Sequence, residues 1–264
     1  MPKFSLEDFA IHYESKGEGA PLLFLPGALG TGTADFSDQL QWFSQHYQVI
    51  APDPRGYGQS RPPERRYPLG FYQQDAEDMA ALMKALGYGR FGVLGWSDGA
   101  NSGTMMAIRY PELVDTLVVW GGNSFLSSEE LHTFQSTRSL TTWSQRAIEP
   151  MRAIYGNDLE SLWERYIIGL EGLYAAGGDL YGADLPKVKC PTLILHGAAD
   201  PLVPSVHPKK IHRGIVGSEF YNFPEGKHNI HKRYAEEFNR VVLAFLERTK
   251  PSTSNLYAKN GHAR

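Results

Sequence analysis

One pentapeptide constrains this chain more than any other part of it. Gly95-Trp96-Ser97-Asp98-Gly99 follows the apolar run 91–94 and precedes a stretch of helical spacing that ends at Pro111. A serine set between glycines, with a strand before it and a helix after it, has a physical logic. Its hydroxyl must leave the sheet on a sharp turn, and glycines let the two backbones approach closely there. The helix that follows offers free N–H groups and partial positive charge to a developing oxyanion. Ser97 is therefore the candidate nucleophile, and the pattern requires a strand-to-helix crossover around it.

The rest of the chain supplies that setting. Short apolar runs at 9–13, 21–25, 47–51, 117–120, 192–196 and 219–223 read as strands. Helical spacing covers 35–45, 70–86, 98–110, 204–215 and 231–247. Strands alternating with amphipathic helices imply the α/β class, with a mostly parallel central sheet covered on both faces. Residues 122–186 break the rhythm. Trp143, Ile148, Met151, Ile154, Leu162, Trp163 and Ile167 fall on periodic helical faces, with no convincing strand among them. The expected organisation is a core of 1–121 and 187–249, a helical cap insertion of 122–186, and a polar tail, 250–264, expected to be disordered.

Partners for the serine follow in the order acid, then histidine. Asp200 comes just after the strand 192–196, and His228 lies past the last strand in Pro224-Glu225-Gly226-Lys227-His228-Asn229. Such a histidine can take the Ser97 proton while the aspartate fixes its tautomer. The other histidines are weaker: His196 reads as structural, His207 and His212 lie on a helix, and His12, His46 and His132 have no matched acid or turn. His228 and His231 are three apart but lack a third ligand, so no metal is expected. Two backbone N–H groups are needed for an oxyanion hole, and the candidates are those of Asp98 and Ala28. Gly27, Gly30 and Gly32 follow a strand, but their G-x-x-G-x-G spacing fits neither dinucleotide nor P-loop patterns. Trp96 and Leu29, beside the nucleophile and in the oxyanion loop, are further candidate substrate contacts.

Charge and cysteine usage narrow the partners. The formal net charge is −3, with no basic cluster to favour nucleic acid or an anionic membrane. No run approaches about 18 apolar residues. The single cysteine, Cys190, allows no internal disulfide and reads as a buried structural thiol. The first residues have neither the apolar core of a signal peptide nor an Arg-rich transit pattern. The expectation is a cytoplasmic monomer acting on a small-molecule ester without a cofactor, or a mitochondrial one if a transit peptide has been removed.

Five segments together resemble the biphenyl hydrolase-like, valacyclovir-hydrolase-type branch of the α/β-hydrolases, which are α-amino-acid ester hydrolases. They are Leu25-Pro26-Gly27-Ala28-Leu29-Gly30, Asp53-Pro54-Arg55-Gly56-Tyr57-Gly58-Gln59-Ser60-Arg61-Pro62-Pro63, Gly95-Trp96-Ser97-Asp98-Gly99, Asp200-Pro201-Leu202-Val203-Pro204 and the His228 loop. The resemblance implies the α/β-hydrolase fold and gives Asp98 the task of binding the substrate's α-ammonium group. Capping of the helix after Ser97 is the rival role for that carboxylate. Ala28 is smaller than the residue carried by the family at that place. The same triad also suits a general carboxylesterase, an aminopeptidase or a C–C bond hydrolase, and a ligand-binding receptor can retain it.

Overall fold

The structure is a computed structural model that describes residues 3–6 and 9–250. The expected tail lies outside the described residues apart from Lys250. The strands are β1 Lys3–Ser5, β2 Ala10–Lys16, β3 Pro21–Leu25, β4 Gln48–Pro52, β5 Phe91–Trp96, β6 Val114–Trp120, β7 Thr192–Gly197 and β8 Glu219–Phe223. The helices of the core are α1 Gly32–Phe43, α2 Phe71–Ala85, α3 Asp98–Arg109, α7 Val206–Gly214, α8 Ile230–Arg233 and α9 Ala235–Thr249. Between β6 and β7 run α4 Ser128–Ser136, α5 Gln145–Tyr155 and α6 Leu159–Ala175.

Among the described residues the sheet has the order β1-β2-β4-β3-β5-β6-β7-β8. β2 runs antiparallel to β4, and from β4 to β8 every pairing is parallel. Period-two alternation in β3 explains how both faces are covered. Leu22 and Phe24 pack toward α1 and α9, with Phe36, Phe43, Phe238, Val242 and Phe245. Leu23 and Leu25 pack toward α2 and α3, with Met79, Met83 and Met106. Phe36 anchors the first layer edge-on to Phe24 at 5.1 Å and Trp120 at 6.0 Å. Burial of one such ring contributes about 1.5–3 kcal/mol.

The α/β expectation holds, with local corrections. β1 has three residues, too few to show a period, and is held by pairing with β2. α1 begins at Gly32, because the Thr31 hydroxyl accepts the Ala34 N–H and caps it earlier than the apolar spacing suggests. α7 begins at Val206, two residues beyond Pro204. The helix expected over 231–247 is two helices, broken at Tyr234 with φ −121° and ψ 42°. The break lets His231 sit fully buried between Trp120 and Asp35 while α9 lays its own apolar face on the sheet.

Candidate active site

Ser97 sits where β5 turns into α3. Its φ of 56° and ψ of −119° are strained for a residue with a Cβ. The turn is held by the Ser97 N–H donating to the Trp120 carbonyl at 2.9 Å. Glycine is required on both sides by close approach. A Cβ at Gly95 would lie 2.3 Å from the Gly99 oxygen, and one at Gly99 would lie 2.0 Å from the Leu25 oxygen.

The parallel sheet brings Asp200 and His228 to the same rim. Each follows the C-terminal end of a neighbouring strand, β7 and β8, and the two loops are laced together. The Ala198 N–H donates to the Phe223 carbonyl and the Ala199 N–H to the Gly226 carbonyl, both at 2.9 Å. His228 Nδ1 stands 2.8 Å from Asp200 Oδ2, and His228 Nε2 stands 3.0 Å from Ser97 Oγ. The carboxylate only accepts, so Nδ1 carries the proton and Nε2 is left to accept from the serine. Burial pushes the Asp200 pKa up. The hydrogen bond and charge of His228 and the N–H groups of Leu202 and Val203 outweigh it, and the net shift is downward. This acid stays ionised at neutral pH.

The imidazole is fixed from other directions. The Trp96 indole N–H donates to the His228 carbonyl at 3.0 Å, and its ring packs 5.4 Å from that imidazole and 4.6 Å from His231. Gly121, at the end of β6 with φ +63°, leaves space for the other side of the ring. A Cβ there would lie 3.0 Å from His228 Cε1. On the opposite flank, Gly27 packs so closely on Ser97 that a Cβ would lie 3.3 Å from the serine's own. The Gly27 N–H donates to buried Asp35 Oδ2 at 3.0 Å. Ala28, the next residue in the chain, is half-buried.

Asp98 does not cap α3: Ser97 holds that position, with no side-chain cap. Its carboxylate instead turns to two phenols. Tyr72 of α2 and Tyr166 of α6 both donate to Oδ1, at 2.8 and 2.9 Å. The other oxygen, Oδ2, is buried and has no hydrogen-bond partner. Burial raises the Asp98 pKa to about 6, against the opposing pull of the two tyrosine hydroxyls. Asp98 and Ser97 line a cavity whose remaining walls include Leu126, Phe134, Leu170 and Val203.

Two expected substrate contacts lie elsewhere. Leu29 has φ 59°, which turns its side chain into the core, where it is fully buried, and its carbonyl accepts the Tyr155 hydroxyl at 2.8 Å. Trp96 packs behind the histidine and does not line this cavity. His12 has a partner after all, Asp53 Oδ2 at 3.2 Å. Cys190 is half-buried, and burial pushes its thiol up to about 11. Sequence reasoning missed Tyr72, Tyr166, Gly121 and Asp35. The tyrosines had no local signal, since one reads as helix core and the other lies in the helical insertion. Among the described residues no group of three or more ligating side chains could hold a metal, and no helix is long and apolar enough to cross a membrane.

What this rim assembles is the equipment of a serine hydrolase on an α/β sheet. The sequence profile of the alpha/beta hydrolase fold matches residues 20–136. Human serine hydrolase BPHL is 40% identical over 249 residues, which cover 93% of this chain and 86% of that protein. The mouse protein of the same name is 41% identical over the same shares. Among solved structures, a meta-cleavage product hydrolase from Pseudomonas fluorescens IP01 (CumD) superposes with a TM-score of 0.81 at 21% identity, covering 95% of this chain and 98% of that one. The chain belongs to the α/β-hydrolase family, in the biphenyl hydrolase-like branch.

Proposed function

We propose that this hydrolase cleaves carboxylic esters of α-amino acids through an acyl-enzyme. Ser97 Oγ attacks the ester carbonyl as His228 Nε2 takes its proton, and the resulting oxyanion is held by the N–H groups of Ala28 and Asp98. The tetrahedral intermediate collapses as His228 returns the proton to the departing alcohol. Water, deprotonated by the same imidazole, then releases the amino acid and restores Ser97. Asp200 holds the imidazolium formed in each half.

The observation that carries the substrate assignment is Asp98. A buried carboxylate with one unpaired oxygen lines the cavity beside the nucleophile. An α-ammonium lies two bonds from the scissile carbonyl, within reach of that oxygen, and an ion pair there is strengthened by low exposure. The same charge opposes anionic substrates such as ring-cleavage products. Apolar walls at Leu126, Phe134, Leu170 and Val203 suit an apolar amino-acid side chain. Residues 122–186 act as the cap, since three of these lining residues, Leu126, Phe134 and Leu170, come from that segment, as does Tyr166.

The test is a pair of activated esters of one amino acid, one with a free and one with an acetylated α-amine. A hydrogen-bonded charge is worth about 1.5–3 kcal/mol, so kcat/KM favours the free amine by about 10–150-fold. Asp98→Ala removes the preference and spares turnover of the acetylated ester. Equal kcat/KM for both esters in the wild type overturns the assignment. Labelling by a fluorophosphonate that disappears in Ser97→Ala separates an enzyme from a receptor on the same fold.

A further inference from the structure

Asp98 joins two bodies of the protein at one atom. Tyr72 comes from α2 of the core and Tyr166 from α6 of the insertion, and both hydroxyls converge on Oδ1. Each tyrosine is buried and locked by its neighbours. Tyr72 packs on Phe71 at 4.0 Å; Tyr166 packs on Tyr67 at 5.4 Å and on Trp163 at 5.2 Å. Two donors on the same oxygen fix the plane of the carboxylate and leave Oδ2 as its one free acceptor. Burial, then the negative charge of Asp98, holds both phenols well above the ordinary tyrosine range, so they remain donors across the working pH.

The geometry points to Tyr72 and Tyr166 as a positioning clamp that sets the specificity of the Asp98 site and latches the α6 segment over it when an α-ammonium is bound. This rests on the reading of Asp98 as the ammonium receptor. The physical reason is linkage. Both hydroxyls favour the ionised carboxylate, and so does the ammonium. A ligand that favours the ionised form also favours the Tyr166 bond that spans the core and the insertion, and that bond in turn favours the ligand. The other groups facing Asp98 are Arg65, which favours its charge, Asp75 of α2, which opposes it, and the neutral phenols of Tyr57 and Tyr67. Arg65 is itself held by Asp75 at 2.6 and 2.7 Å, so it does not swing onto Asp98 when a tyrosine is lost.

The experiment measures the ratio of kcat/KM for the free-amine ester to that for its N-acetyl analogue, from pH 5 to pH 7.5. Any limb imposed by Ser97 and His228 is common to both esters and cancels in the ratio. In Tyr72→Phe or Tyr166→Phe the carboxylate loses one charged hydrogen bond. The ratio at pH 7 falls about tenfold, through KM more than kcat, and the midpoint of its pH dependence rises by about one unit, which stays inside the measured range. The N-acetyl ester, which forms no ion pair with Asp98, serves as the denominator of the ratio and absorbs any change the variants impose on the cavity they line. Tyr72→Phe tests the clamp within the core should Tyr166→Phe melt early, and the reverse holds. The latch is read separately in the wild type. Valine amide protects α6 amides from hydrogen exchange, and N-acetylvaline amide does not. An unchanged ratio and midpoint in both Phe variants, with Asp98→Ala abolishing the preference, overturns the clamp and leaves the receptor reading standing. Equal protection of α6 by the two amides overturns the latch. A preference that survives Asp98→Ala overturns the receptor reading itself.

Discussion

Gly121→Ala tests how His228, the proposed general base, is held. Gly121 has φ +63°, and the new methyl carbon would lie 3.0 Å from His228 Cε1 and 3.2 Å from Nδ1. Carbon atoms rest at about 3.5–4.0 Å, so the ring must retreat by roughly half an ångström. It has little freedom to do so, with Asp200 at 2.8 Å on Nδ1 and the Trp96 indole on its backbone carbonyl. The retreat lengthens the 3.0 Å contact with Ser97 to about 3.5 Å, the outer limit of a hydrogen bond. Misplacement on this scale lowers kcat by about 10–100-fold, with KM moving less. The left-handed backbone costs about 1–2 kcal/mol for an L-residue, or roughly 2–6 °C in Tm. Gly87→Ala is the control. Gly87 has φ +85° and nothing within 4 Å of its Cβ position, so it carries the backbone term without the collision. Steady-state kinetics on an activated ester and a thermal melt read both terms. The reasoning is refuted if Gly121→Ala keeps full kcat while melting like Gly87→Ala, or if Gly87→Ala loses kcat as well.

Two further outcomes follow from the site. Ser97→Ala abolishes measurable turnover, and Asp200→Asn lowers kcat by roughly 10⁴-fold through the wrong imidazole tautomer, as in other serine triads; retention of activity in either, by burst and steady-state kinetics, refutes the assignment. Asp98→Asn stabilises the fold while impairing it as an enzyme for free-amine esters. The folded-state pKa is raised from 3.8 to about 6, so the wild type pays for an ionised buried acid above that range. This is on the order of 3 kcal/mol. Because the shift is upward, wild-type stability rises as pH falls from 6 to 4. The Asn variant's advantage in denaturant melts is therefore full at pH 7–8 and disappears below about pH 4.

Much of the site was legible because it is built from local patterns. Ser97, Asp200 and His228 each sit at a strand's C-terminal end, and strand ends can be read from apolar runs closed by turn residues. A parallel sheet gathers such ends on one rim, so order along the chain already implies proximity. The breaks in the reading have the opposite character. His12 pairs with Asp53, 41 residues away, and nothing near either residue marks the other. Leu29 sits in the expected loop, yet its positive φ sends the side chain into the core. The interruption at Tyr234 leaves the helical period on both sides intact, so periodicity passes straight across it.

The sequence alone determined the α/β layering, the strained serine turn and the presence of an acid beside Ser97. Those features depend on φ/ψ preferences and on the period of apolar residues over a few positions. How the Asp98 carboxylate is held was decided only by the tertiary structure. A carboxylate's orientation and charge depend on its burial and on which donors reach it. Here the donors arrive from α2, 26 residues before it, and from α6, 68 residues after it.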